Sequence, residues 1–305
     1  MQKNKGILIS IIMPTYKRSD FLNKSIDSLL MQDYGKIEII VVDDNHSNSQ
    51  YRVQTELKMK EYSYEKRVKY IKNVENLGGA LARNVGIEHS TGEYITFLDD
   101  DDIYLKDKIS SQVEFMIKNN FDMSFMDLIL YNQDDELVDF REFGFVEKFD
   151  KQSLLKYHLT KHITGTPTFM YKKKYLMEIG GFSEIKMGQE FYLMLKTIEG
   201  NGKIGYLPLS KVIAYLHDSE RISSGKTKYD GEKVLLKLKK RYFNVLTFRE
   251  KLYVYFRHHA VIAVVGLRNK DYAIMLKHIF LGLVTSPLDA VLEVIKYLKK
   301  KKKIM

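Results

Sequence analysis

The chain has 305 residues, 45% hydrophobic and 29% charged, an ordinary globular balance with length enough for a sizeable core. It contains no Cys, which excludes disulfides and thiolate metal sites and is compatible with a reducing compartment. The net charge of +10 is uneven. From Glu232 onward there are 17 Lys and Arg against 5 Asp and Glu, leaving 32 against 34 for residues 1–231, so a near-neutral body carries a basic C-terminal segment suited to an anionic partner.

In chain order, strand-like apolar runs fall at Ile7–Met13, Ile37–Val42, Val68–Ile71 and Tyr94–Leu98. The first is short for a signal-peptide core and is followed by Pro14 rather than a small-residue cleavage site, so it reads as a strand. Helical spacing fills the intervals at Asp20–Met31 (with Ser19 or Asp20 as cap), Tyr51–Tyr62 and Gly79–His89, and continues at Tyr104–Asn119. Such alternation predicts parallel βαβ units in a doubly wound α/β sheet, whose ligands bind outside the carboxyl ends of the strands. Three polar clusters fall at those ends: Pro14-Thr15-Tyr16, Asp43-Asp44-Asn45 and Asp99–Asp102. Beyond them, Phe121–Tyr131, Leu137–Phe140, Thr166–Tyr171 and Lys211–Leu216 read as strands, Gln133–Glu136 as a turn and Gly188–Glu199 as a helix. A polar stretch at Ser223–Lys226 marks the boundary, giving a first domain over 1–222 and a second over 223–305.

The four consecutive aspartates are the most informative feature. Adjacent carboxylates repel one another unless a cation or solvent screens them. Hard divalent ions such as Mg²⁺ or Mn²⁺ take oxygen ligands, usually one or two carboxylates with phosphate oxygens and water, an arrangement that suits a nucleoside diphosphate. The same residues also fit a solvated loop in which Asp102 caps the helix starting near Tyr104.

Four segments together resemble family-2 glycosyltransferases of the GT-A fold. Ile9–Tyr16 (ISIIMPTY) is similar to the family's opening strand, and Glu38–Ser47 (EIIVVDDNHS) to its second strand and nucleotide loop. Asn76–Gly86 (NLGGALARNVG) resembles its glycine-containing helix, and Gly92–Asp102 (GEYITFLDDDD) its metal-binding strand. The resemblance covers roughly residues 7–220. It implies a GT-A, Rossmann-like, mostly parallel sheet and an inverting transfer from a nucleotide-diphospho-sugar, most simply a UDP-sugar, to a glycan or lipid-linked acceptor. Pro14, Thr15 and Tyr16 are then donor-binding, with the Tyr16 ring offered to the base. Asp43 or Asp44 accepts from base or ribose, and Arg83 reaches base or phosphate. The family's DxD pattern maps onto Asp99-Asp100-Asp101, with Asp99 toward ribose or metal, Asp101 the principal ligand of Mn²⁺ or Mg²⁺, and the register open to a slip of one. His217 in YLHDS stands where many relatives carry a histidine near the diphosphate, as a further metal ligand or a donor to phosphate. The family's acidic pair after a Gly-Gly-Phe turn becomes Gln189-Glu190 behind Gly180-Gly181-Phe182, which leaves Glu190 as the base for the acceptor hydroxyl. His158, His162 and His278 have no motif around them and read as packing or surface residues.

Residues Glu232–Met305 read as helical, broken near Asn244, Asn269 and Ser286-Pro287. Leu288, Val291, Leu292, Ile295 and Leu298 share one face of the last helix, with Asp289, Glu293, Lys296 and Lys300 on another. No run approaches the roughly 20 apolar residues of a spanning helix, so the segment is expected to lie on an anionic membrane surface. The alternative is packing on the body or on a second subunit, as an oligomer. A nucleic-acid partner is not expected, since the charge comes without a base-reading module. The expected location is cytoplasmic, peripheral at the inner face of the plasma membrane. Two rivals share the sheet: a sugar nucleotidyltransferase, although Pro14–Arg18 is not a glycine-rich phosphate loop, and a non-catalytic nucleotide-sugar-binding scaffold, to which Gln189 lends weight.

Overall fold

The computed structural model describes residues 6–185, 187–216 and 225–304, with side chains at 228–295 in the last stretch. They fall into two compact units, one of residues 6–149, 164–185 and 189–216, the other of 150–163, 187–188 and 225–304.

The first unit alternates β1 (Ile9–Thr15), α1 (Ser19–Leu30), β2 (Ile37–Asp43), α2 (Gln50–Lys60), β3 (Val68–Lys72), α3 (Gly79–His89) and β4 (Tyr94–Phe97). After β5 (Ile103–Tyr104) and α4 (Lys108–Asn119) come β6 (Met123–Asn132) and β7 (Leu137–Arg141). In the second unit the chain next forms α5 (Lys151–Lys161), before β8 (Met170–Lys172), α6 (Lys173–Glu178), α7 (Gln189–Glu199) and β9 (Ile204–Leu216) complete the first. Its nine strands form one sheet in the order β3-β2-β1-β4-β8-β6-β9-β5, with β7 on the edge of β6. Strands β3, β2, β1 and β4 are parallel, as the alternation requires, while β8 enters antiparallel between β4 and β6.

Why these residues form the sheet follows from burial on both faces. Ile9, Ile11, Met13, Ile39 and Val41 pack with Leu22 and Ile26 of α1 and Val113 and Met116 of α4. Ile40 and Val42 pack on the opposite face with Ala82 of α3. Strands covered on both sides read as continuous apolar runs. Helix α3 sits close on β1: a Cβ at Gly86 would come within 2.4 Å of Ile12 Cγ2. The other end of the strands is stitched by Glu38, which accepts from Ser10 Oγ (2.6 Å), Gly92 N (3.1 Å) and Lys69 Nζ (2.5 Å). Burial alone would raise its pKa, but these bonds and those from Thr91 hold it at about 2.

Several expected elements differ. Residues Ile103–Tyr104 do not begin a helix; they pair antiparallel with Val212 and Ile213 of β9, and α4 starts only at Lys108. The buried Tyr104 hydroxyl, which has Phe97 O at 2.5 Å and Pro167 O at 2.9 Å as acceptors for its one proton, fixes this extended stretch. Asp102 is therefore no helix cap: Asp107 holds that position, and Asp102 Oδ1 accepts from Tyr215 N of β9 at 3.0 Å. Likewise Arg18, not Ser19 or Asp20, stands at the N-cap of α1. Thr166–Thr168 is a 3₁₀ turn rather than strand, and only Met170–Lys172 joins the sheet.

The second unit is helical: α5, then α8 (Gly225–Lys240), α9 (Phe248–Arg268), α10 (Tyr272–Thr285) and α11 (Pro287–Ile304). Thr247 opens α9 with a capping box to Glu250, and Asp271 caps α10 by accepting from Ile274 N at 3.0 Å. Gly266 lets the two helices meet at their turn, where a Cβ would lie 2.8 Å from Met275 N. No single described helix is long and apolar enough to cross a membrane.

Candidate active site

At the carboxyl ends of the parallel strands the three polar clusters converge. Thr15 closes β1 opposite Asp43 of β2, and Leu98 N donates to Ile12 O at 3.0 Å, which carries Asp99–Asp102 to the same edge. Thr15 Oγ1 donates to Asp100 Oδ2 at 2.7 Å, and Asp100 O accepts from Ser25 Oγ at 2.8 Å. Arg18 pairs with Asp101 and lies 3.7 Å from Asp100 Oδ1. Beyond Pro14 and Thr15, the Tyr16 ring is 39% exposed, with Lys17 Nζ 4.9 Å from its centroid.

Asp43 and Asp44 have separate duties in this edge. Asp43 is fully buried; Oδ1 accepts from the backbone N and Nδ2 of Asn45 (2.9 and 2.8 Å), and Oδ2 lies 2.9 Å from Arg52 Nε and accepts from Tyr70. Asp44 instead shapes the entry to α3. Its Oδ1 accepts from Asn73 Nδ2 (2.8 Å) and Leu77 N (2.9 Å), its Oδ2 from Asn76 Nδ2 and Gly78 N (both 2.8 Å). Gly78 follows at φ +82°, a left-handed conformation that favours glycine.

Arg83 is the hub on the other flank. It is 8% exposed, pairs with Asp99, donates to Gln189 Oε1 at 3.2 Å and Gly79 O at 3.1 Å, and its guanidinium lies 5.5 Å from the Phe182 ring centroid. Phe182 also meets Phe97 edge-on at 5.2 Å. The next residue, Asn84, clamps the Gly180-Gly181-Phe182 turn: Nδ2 donates to Phe182 O and Oδ1 accepts from Phe182 N, both at 2.9 Å. Gly181 has φ +53° and lies so near that a Cβ would come 2.7 Å from Asn84 Oδ1. This clamp holds the turn that precedes α7. In the first turn of α7, the half-buried Glu190 accepts from Thr166 N through Oε2 at 3.2 Å.

The aspartates are electrostatically unlike. Side-chain exposure is 38% for Asp99 but 9% for Asp101. Burial, then the charge of Asp101, pushes Asp100 up to about 7; burial, then Asp101 and Asp99, raises Asp102 well above the usual carboxylate range. The donor chemistry fits a hard divalent ion: Asp99 and Asp101 offer oxygen ligands at the strand edge, and each is held by an arginine cation that satisfies the same charge. Among the described residues no group of three or more His, Asp or Glu side chains stands as a metal site. The third expected ligand, His217, lies outside the described residues.

The structure thus joins Thr15, Arg18, Asp100 and Asp101 in one network and Arg83, Asp99 and Gln189 in another. Arg18, Asn84 and Thr166 were not among the expected site residues; Arg18 adjoins one flagged motif and Asn84 lies within another, whereas Thr166 carries no local signal. Of the histidines, His158 is fully buried and accepts from Ile163 N at 3.2 Å, His162 Nε2 lies 2.6 Å from Lys239 Nζ, and His278 Nδ1 lies 3.1 Å from His259 Nδ1. All three belong to the helical unit.

Residues 10–180 match the model of glycosyl transferase family 2, and the chain belongs to that family. It is 40% identical over 119 residues to the UDP-Glc:alpha-D-GlcNAc-diphosphoundecaprenol beta-1,3-glucosyltransferase WfgD of Escherichia coli, covering 39% of this chain and 44% of that one. The chain spans 66% of the length of a Methanocaldococcus jannaschii relative and 16% of that of a Rickettsia bellii one. Its fold is similar to that of S. aureus TarS in complex with UDP-GlcNAc (TM-score 0.60, 18% identity, 88% of this chain and 89% of that one). It is also similar to the mannosyltransferase PcManGT of Pyrobaculum calidifontis in complex with GDP-Man and Mn²⁺ (TM-score 0.61, 14% identity, 96% and 80%). The mixed sheet flanked by helices is the expected GT-A architecture.

Proposed function

We propose that the chain is a metal-dependent inverting glycosyltransferase that moves a sugar from a UDP-type nucleotide-sugar to a hydroxyl of a glycan or lipid-linked acceptor in cell-surface polysaccharide synthesis. One observation carries the reading: Arg83 bonds both Asp99 at the strand edge and Gln189, the neighbour of the candidate base Glu190, at the start of α7. The UDP-GlcNAc bound by TarS and the UDP-Glc in the name of WfgD support the donor class. The diphosphoundecaprenol in that name supports a lipid-linked acceptor, and the Mn²⁺ of PcManGT supports a divalent ion.

In this reading Tyr16 presents its ring to the base, and Asp43 and Asp44 hold the loops that frame it. Asp99 and Asp101, with His217, would hold Mn²⁺ or Mg²⁺, which when bound offsets the charge on the departing diphosphate. Arg83 keeps Asp99 oriented while neutral Gln189 leaves Glu190 as the sole acid at the start of α7. Glu190 takes the acceptor hydroxyl proton as the oxygen attacks the anomeric carbon from the face opposite the nucleotide. The new C–O bond forms as the bond to the diphosphate breaks, and the electron pair leaves with UDP.

The test is product release from UDP-sugars with Mn²⁺ or with a chelator. Free UDP and a product of opposite anomeric configuration are expected, only with the ion. Formation of UTP and sugar 1-phosphate when pyrophosphate is added to the UDP-sugar would make the chain a nucleotidyltransferase, and binding without turnover a scaffold.

A further inference from the structure

The last two helices are inside out. In α11 the polar face is turned inward: Asp289 is 7% exposed and accepts from Ser286 Oγ at 2.6 Å, while Glu293 accepts from Tyr253 of α9 at 3.1 Å. Its apolar face points to solvent, with Leu288 at 55%, Val291 at 57% and Ile295 at 41% exposed. Helix α10 behaves alike. His278 and Gly282 form its buried side, and a stripe of Tyr272, Leu276, Ile279, Phe280 and Leu283 lies open. An amphipathic helix in a water-soluble body buries its apolar stripe; the reverse, repeated on adjacent helices, marks a surface that meets another phase or partner.

We infer that α10 and α11 form a docking surface for an anionic lipid bilayer, lying flat in its interface. The two helices are bent by 109° at their break, so they do not form one straight span. Charge selects the occupant. In sequence the run Lys299–Lys303 follows the apolar residues of α11, and the segment from Glu232 carries 17 Lys and Arg against 5 Asp and Glu. Anionic headgroups attract such a run, whereas a second copy of the same segment would repel it. Phe280, Leu276 and Val291 then insert at the headgroup–acyl boundary. This inference stands on the helical unit alone and is independent of the donor reading.

Co-sedimentation of the full chain with vesicles decides it, using phosphatidylcholine alone or mixed with phosphatidylglycerol. Binding is expected to the anionic vesicles and to be weak on the neutral ones. Phe280→Glu with Val291→Glu places charges at exposed positions, so circular dichroism should be unchanged while partitioning falls on the order of tenfold or more. Changing Lys299–Lys303 to Gln tests the same surface without touching the apolar face, and should remove the preference for anionic vesicles. Absence of binding to either vesicle, or a double variant that partitions normally, would overturn the inference. So would light scattering that finds a dimer abolished by Phe280→Glu with Val291→Glu, which would assign the face to a second copy.

Discussion

Asn84 touches no expected ligand position, yet it should control the site. Asn84→Ala removes two hydrogen bonds of 2.9 Å that hold the backbone of Phe182. At about 1 kcal/mol each, their loss frees the turn by about 2 kcal/mol, or about a thirty-fold shift toward its open form. The side chains that follow are Phe182, against which Arg83 lies, and then Gln189 and Glu190 of α7. The direct assay is amide hydrogen exchange on a peptide spanning the Gly180-Gly181-Phe182 turn, where exchange should quicken about thirty-fold. Asn84→Asp, which keeps the acceptor for Phe182 N but loses the donor, should show about half the free-energy change. Turnover should drop with it, since about 1 Å of misplacement costs on the order of a hundredfold. Unchanged exchange at this turn in Asn84→Ala would refute the clamp.

Two further variants probe the chemistry and the core. Glu190→Gln keeps an oxygen for Thr166 N, so stability should hold while kcat falls about 10²–10⁴-fold; a steady-state assay with kcat near wild type would remove Glu190 as base. Lys108 is fully buried, donates to Thr96 Oγ1 at 2.6 Å and lies 4.0 Å from the Tyr104 ring centroid, and burial holds its pKa well below the ordinary 10.5. The unfolded chain therefore binds this proton more tightly than the folded one, so stability should rise with pH from the lowered folded pKa up to 10.5. Lys108→Met should remove that rise and stabilise the protein by about 1–3 kcal/mol at neutral pH, measured by denaturant titration across pH.

Strands β1, β2 and β4 and helix α3 were legible because burial on both faces writes unbroken apolar runs, and because glycine marks the close approach of α3 to β1 at Ile12. The convergence of the three polar clusters followed from parallel topology alone. Strand β5 was not legible: two residues carry no period, and what fixes them is the pairing with Val212 and Ile213 more than a hundred residues on, together with the Tyr104 hydroxyl. The placement of Asp102 went astray for the same reason. Asn84 and Phe182 each lie in a flagged segment, but their pairing across 98 residues has no local signature. The sequence separates the two faces of α11 correctly, but which one faces inward depends on Tyr253 of α9, a contact no helical wheel contains.

The most direct measurement is a calorimetric titration of UDP-sugar into the full chain, with and without Mn²⁺, beside the Asp101→Asn variant. The ion should tighten donor binding, and the variant should lose this gain. Donor affinity indifferent to the ion in the unaltered chain would contradict this.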